Sequence, residues 1–122
     1  MELNSKQLIL SQIEKNLKLL APPDVTFYVK ENKIWKFAGS AFTIDKRFIF
    51  LCMKNPDYNT LMYVACHELA HILCSEWGHG KDFSLHFRKL VHSAIQRGMY
   101  TYTDYTSNPQ DYCGFRLSSQ II

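Results

Sequence analysis

His67, Glu68 and His71 stand in the pattern His-Glu-Leu-Ala-His over residues 67–71, and these residue types at this spacing are those of a hydrolytic zinc centre. Four residues advance an ideal helix by about 400°, so the two imidazoles lie one turn apart and only about 40° out of line. Both can reach one metal ion. Glu68 is offset from His67 by about 100° on the same helix, which suits a carboxylate that holds a water molecule beside the metal and does not ligate it. Zinc lowers the pKa of its water toward about 7; Glu68, as general base, would take the proton during attack on a carbonyl and deliver it to the leaving amine. The bare pattern would arise by chance about once per hundred chains of this composition, so its surroundings must decide.

Those surroundings read as a helix. Thr60 to Cys66 lead into the motif without Gly or Pro, and Asn55-Pro56-Asp57 supplies turn residues where a helix should begin. Met62, Leu69 and Leu73 project opposite His67, which turns them to a core while the histidines face a cleft. A catalytic zinc needs a third protein ligand and an open position. No Glu follows Glu76, and Cys74 and Trp77 occupy positions where the longer metzincin pattern needs Gly and His. His79 is the best choice, because Gly78 and Gly80 beside it would end the helix and let the backbone turn the imidazole toward His67 and His71. Asp82, Asp104 and His86 are the alternatives.

The run His67 to His71 followed by Gly78-His79-Gly80-Lys81-Asp82-Phe83 resembles the WLM and SprT-like metalloproteases, in which a third His and an aromatic residue open the next helix. Asn108 to Gly114 is similar to a segment of short WLM-like proteins of large DNA viruses. The likeness spans residues 58–116, with seven residues between His71 and His79, a longer spacer than in many WLM members and one that SprT-like members tolerate. The resemblance implies a small zincin-like fold, Zn2+ held by His67, His71 and His79, and proteolysis, often of proteins crosslinked to DNA. It also implies that Ala41-Phe42-Thr43 forms the cleft strand that pairs with an extended substrate, giving main-chain affinity with little sequence preference.

The other elements read as supports. Leu10, Ile13, Leu17 and Leu20 recur at helical spacing within 5–20, and Pro22-Pro23 stops that helix. Short apolar runs at 25–29, 34–37, 41–44 and 47–52, separated by turn residues, predict a small twisted sheet. Phe83, Phe87, Leu90, Val91 and Ala94 mark a second helix over 82–97, packed on the active-site helix, with Asp82 as its early-turn acidic residue. His86 and His92 fall on different faces of it and read as surface residues. The stretch holding Tyr100, Tyr102, Tyr105 and Tyr112 reads as an irregular cover from which one tyrosine could donate to a transition-state oxyanion. The fold class is therefore α+β, one domain over 1–122.

Length agrees: 122 residues, 47% of them hydrophobic, bury one core and not two. The sequence has no apolar run near the length of a membrane span and no secretory signal pattern at its polar start, so an intracellular monomer, in cytoplasm or nucleus, is expected. Cys52, Cys66, Cys74 and Cys113 form no C-x-x-C pair and read as reduced thiols, with Cys113 a remote candidate for a thiolate in the open zinc position. A formal net charge of +3, scattered along the chain, lends only weak support to DNA association. Two functions follow: a zinc endopeptidase acting on a protein or peptide, or a non-catalytic zinc-binding adaptor for a nucleic-acid-associated partner. Glu68 favours the first, since a structural zinc site has no chemical need of it and usually closes with a fourth ligand.

Overall fold

A computed structural model of the chain describes residues 4–54, 57–75 and 79–119. The expectations placed on Asn55, Pro56 and Gly78 lie outside the described residues. Helix α1 (Ser5–Leu20) opens on a capping box. The Asn4 side chain accepts from the Gln7 amide at 2.9 Å and the Gln7 side chain from the Asn4 amide at 3.0 Å, which satisfies two amides the first turn leaves open. Ile13 and Leu17 of α1 are fully buried.

Strand β1 (Tyr28–Glu31), helix α2 (Trp35–Ala38), strand β2 (Ala41–Ile44) and strand β3 (Phe48–Leu51) follow. The sheet order is β1-β3-β2, with β1 parallel and β2 antiparallel to β3, so β2 is an edge strand. Ile49 and Leu51 of β3 point into the core. Its Phe48 and Phe50 stack on Tyr28 and Phe42 on the other face. Asp45 and Lys46 both take positive φ at the centre of a tight turn, closed by the Arg47 amide on the Ile44 carbonyl at 3.0 Å, in the three-residue connection between β2 and β3.

Two expectations for this region shift. The first strand starts three residues later than Val25, whose amide instead bonds the Pro22 carbonyl in a turn. The run 34–37 is the helical turn α2 and not a strand. Buried Asn32 explains this: it accepts from the Ile34 amide at 3.0 Å and donates to the carbonyls of Gly39 at 2.7 Å and Ser40 at 3.2 Å, folding the segment on itself. Gly39, at φ 93°, lets the chain reverse into β2.

Helix α3 (Tyr58–Leu73) carries the motif and is capped by Asp57, whose carboxylate accepts from the amide and hydroxyl of Thr60. It lies at the centre of the fold, against α1, β2, β3 and helix α4 (Lys81–Gln96). Leu61, Met62, Ala65 and Leu69 are completely buried. Phe83, Phe87, Leu90, Val91 and Ala94 form the buried stripe of α4 that packs on it. The Tyr-rich segment is less irregular than expected, since Gln110–Tyr112 (β4) and Phe115–Leu117 (β5) pair as a hairpin. Its turn is Cys113-Gly114, both at positive φ. The described residues thus form an α+β domain of four helices and two small sheets, with no helix long and apolar enough to cross a membrane.

Candidate metal centre and cleft

Helix geometry aligns His67 and His71 on one face of α3, with ring centroids 5.0 Å apart. His79 comes back to them from the start of α4. Its Nε2 lies 3.1 Å from Nε2 of His71, and one ligand atom from each of the three histidines lies within 4.8 Å of the others. Two imidazoles on one tetrahedral zinc stand about 3.3 Å apart, so the donor set fits a metal ion. The turn differs from expectation in how it does this. Helix α3 ends at Leu73, ahead of the glycines, and Gly80 caps α4 at φ −78°, an ordinary backbone angle. Asp82 does the closing: its carboxylate, in the first turn of α4, accepts from the Ser75 amide at 3.0 Å. That bond, with those from the Cys74 and Ser75 side chains, holds its pKa below the usual value.

The alternative ligands are engaged elsewhere. Asp82 clasps Ser75 and pairs with His86 at 3.5 Å, while Asp104 accepts from Thr106 and Ser107 in a local turn. His92 is exposed.

Phe83 forms the floor of the histidine cluster, its centroid 4.9, 4.5 and 4.7 Å from the rings of His67, His71 and His79. Phe87 flanks His67 at 5.2 Å. Burial, then the positive charge of His71 and His79, pushes the pKa of His67 down to about 3. His71 is lowered by burial, by His79 and by Lys46, whose ammonium donates to the Cys74 carbonyl. Neutral imidazole is the form that ligates metal.

Glu68 is buried, and burial raises its pKa to about 7 against the opposing effect of a hydrogen bond from Thr43. The Thr43 hydroxyl donates to Oε1 at 2.8 Å, which leaves Oε2 4.0 Å from Nε2 of His67. A carboxyl raised toward neutrality beside three histidines able to hold a metal ion is chemically suited to general base work. Thr43 was legible only as part of a substrate strand; its grip on Glu68 spans 25 residues and has no local signal.

His67, Glu68 and His79 open on a cleft of about 640 Å³. The cleft is also lined by α2, through Trp35 and Lys36, and by the β4–β5 hairpin, through Tyr112, Phe115 and Leu117. Of the tyrosines singled out, only Tyr112 lines this cleft, and its hydroxyl donates to the Cys52 carbonyl at 2.9 Å. Tyr100 and Tyr105 pack on Tyr63, and Tyr102 is exposed. The expectation of reduced thiols is corrected for two of the four cysteines. Cys52 and Cys113, with Cα atoms 6.5 Å apart, form a disulfide, so Cys113 is not free to enter a zinc site. They lie 61 residues apart, and only the fold brings them together. Cys66 and Cys74 are buried thiols outside that disulfide, and burial pushes the Cys66 thiol up to about 12.

Fold and site together define a small α+β domain with a three-histidine cluster able to hold a metal ion. No protein-family model and no solved structure matches the chain. It is similar to three viral proteins, each described as uncharacterized. One, from Acanthamoeba polyphaga mimivirus, is 34% identical over 90 residues, 68% of this chain and 46% of that protein. Another, from Invertebrate iridescent virus 6, is 42% identical over 71 residues, 52% of this chain and 40% of that protein. The third, from Invertebrate iridescent virus 3, is 42% identical over 66 residues, 49% and 42% of the two chains. The chain spans less than half the length of each of these relatives.

Proposed function

We propose that this domain is a zinc-dependent metallopeptidase of zincin-like fold, with His67, His71 and His79 as ligands and Glu68 as general base. The observation that carries the reading is the state of Glu68: buried beside the histidine cluster, held at Oε1 by Thr43, with Oε2 4.0 Å from Nε2 of His67, and lining the cleft. An adaptor with a purely structural zinc has no use for that arrangement. Three nitrogen donors with room for a further ligand suit zinc, which when bound supplies Lewis acidity and a more acidic water. The chain's own residues do the rest. Glu68 accepts the proton of the attacking water and returns it to the leaving amine, and Thr43 keeps the carboxylate turned to that task. Edge strand β2, with Ala41 lining the cleft, offers main-chain groups to an extended peptide. Action on DNA-linked protein rests on the family resemblance alone, since a net charge of +3 does not argue for it. Chelation should abolish cleavage of an unstructured protein and stoichiometric zinc should restore it. Cleavage indifferent to chelator and zinc would overturn the assignment.

A further inference from the structure

We propose that the cleft selects a large apolar side chain, aromatic above all, on the substrate residue flanking the bond to be cut; this rests on the peptidase reading. His67, His79 and Glu68 share one continuous space with Trp35, Phe115 and Leu117. That space, about 640 Å³, is within the usual range for ligand sites and holds a bulky side chain with its peptide backbone.

Charge on the lining favours the same class of side chain. Apart from Glu68 and the histidines, the only side chain lining the cleft among the described residues that carries a charge at neutral pH is Lys36. A basic substrate side chain therefore meets a like charge and no free carboxylate, because Glu68 is committed to Thr43 and to the chemistry. Meanwhile Phe115 is 56% exposed, an apolar surface in water within reach of the catalytic groups. Covering it with another aromatic ring removes that surface from water on both partners.

The lining contributed by Trp35 and the hairpin is also built in advance. Buried Asn32 fixes the turn that carries Trp35. The hairpin turn is anchored by the Cys52–Cys113 disulfide and comes so close to Trp35 that a Cβ on Gly114 would stand 3.7 Å from its ring. A preformed wall needs little ordering when a side chain enters, so apolar burial is expressed as affinity and as rate.

The test uses zinc-loaded protein and peptides identical except at the two residues flanking a single scissile bond. Phe, Tyr, Trp or Leu at one of these positions should raise kcat/KM about 10- to 100-fold over Ala, with Lys and Arg at or below Ala. Phe115→Ser, which alters an exposed position, and Trp35→Ala should each bring the Phe-to-Ala ratio toward one. Binding of the same peptides to zinc-loaded Glu68→Gln protein, followed by fluorescence anisotropy, separates the two readings. About tenfold tighter binding of the Phe peptide that Phe115→Ser removes supports the pocket even if no cleavage is seen, in which case the peptidase reading falls alone. Cleavage indifferent to Phe, Ala and Lys would overturn the pocket while leaving the peptidase reading in place, and equal binding of the three peptides would overturn the pocket as well.

Discussion

The hydroxyl of Thr43 donates a 2.8 Å hydrogen bond to Oε1 of Glu68, tying edge strand β2 to the motif helix across 25 residues of sequence. A hydrogen bond to a buried charged group contributes about 1.5–3 kcal/mol. Thr43→Val keeps the shape and removes the donor, so peptide cleavage should fall about 10- to 100-fold. Zinc content should stay at the wild-type value, and Thr43→Ser should recover most of the activity. Wild-type rates in Thr43→Val would show that Glu68 is positioned by something else.

Phe83 touches the rings of all three histidines. Truncation to Ala should destabilise the domain by about 3–5 kcal/mol, as for other buried aromatics. It should also weaken zinc binding about 10- to 100-fold by freeing the rings, in the way that lost support around ligands usually does. Val91→Ala, completely buried on the same helix and absent from the ring contacts of the cluster, supplies the comparison: it should lower the melting temperature and leave zinc affinity unchanged. Competition with a chromophoric chelator reads the affinity. Equal affinities for Phe83→Ala and wild type would remove Phe83 from the site's support.

How far the site could be read from the chain depends on the distance over which each part is encoded. His67, Glu68 and His71 lie within five residues and one helical period, so their shared face follows from backbone geometry. Flanking glycines point to His79, yet the turn is closed by Asp82 on Ser75, a bond that residue types alone do not announce. The run 34–37 has the composition of a strand. It becomes a helical turn because Asn32, two residues earlier, captures the Ile34 amide and the carbonyls beyond the turn. The disulfide and the Thr43–Glu68 bond join segments with no local pattern in common. The hairpin at 110–117 has strands of three residues, too short for alternation to stand out, and a Cys-Gly turn in place of Asn-Gly.

The Cys52–Cys113 bond closes a loop of 61 residues. In the chain-entropy account a crosslink of that span stabilises the fold by about 4 kcal/mol. Reductant, or Cys113→Ser, should lower the melting temperature accordingly and loosen the hairpin that walls the cleft, raising KM more than it lowers kcat. Thiol titration of the denatured, unreduced protein should find Cys66 and Cys74 alone. Four titratable thiols would contradict the bond.

Acid should act on the metal-free protein through the histidines. His67 titrates near 6.5 when unfolded but is held to about 3 in the fold, so the unfolded chain binds more protons in between. Its contribution to stability is present above pH 6.5 and is lost as pH falls toward 3. Glu68 has the opposite sign: raised from 4.5 to about 7, it favours the fold most below pH 4.5 and progressively less as pH rises through 7. The two oppose each other between 4.5 and 6.5, and below 4.5 the His67 effect stands without that opposition. Melting curves of metal-free wild type should therefore drop more steeply than those of His67→Phe as pH falls from 4.5 toward 3. Parallel curves would show that His67 is not held neutral by the fold.

Peptide-bond cleavage by Glu68→Gln protein carrying the same zinc content as wild type tests the central claim most directly. Gln keeps the size and removes the proton acceptor, so turnover should fall at least about a hundredfold, the usual range for a general base, with zinc still bound. Cleavage by Glu68→Gln at the wild-type rate and equal zinc content would contradict the account.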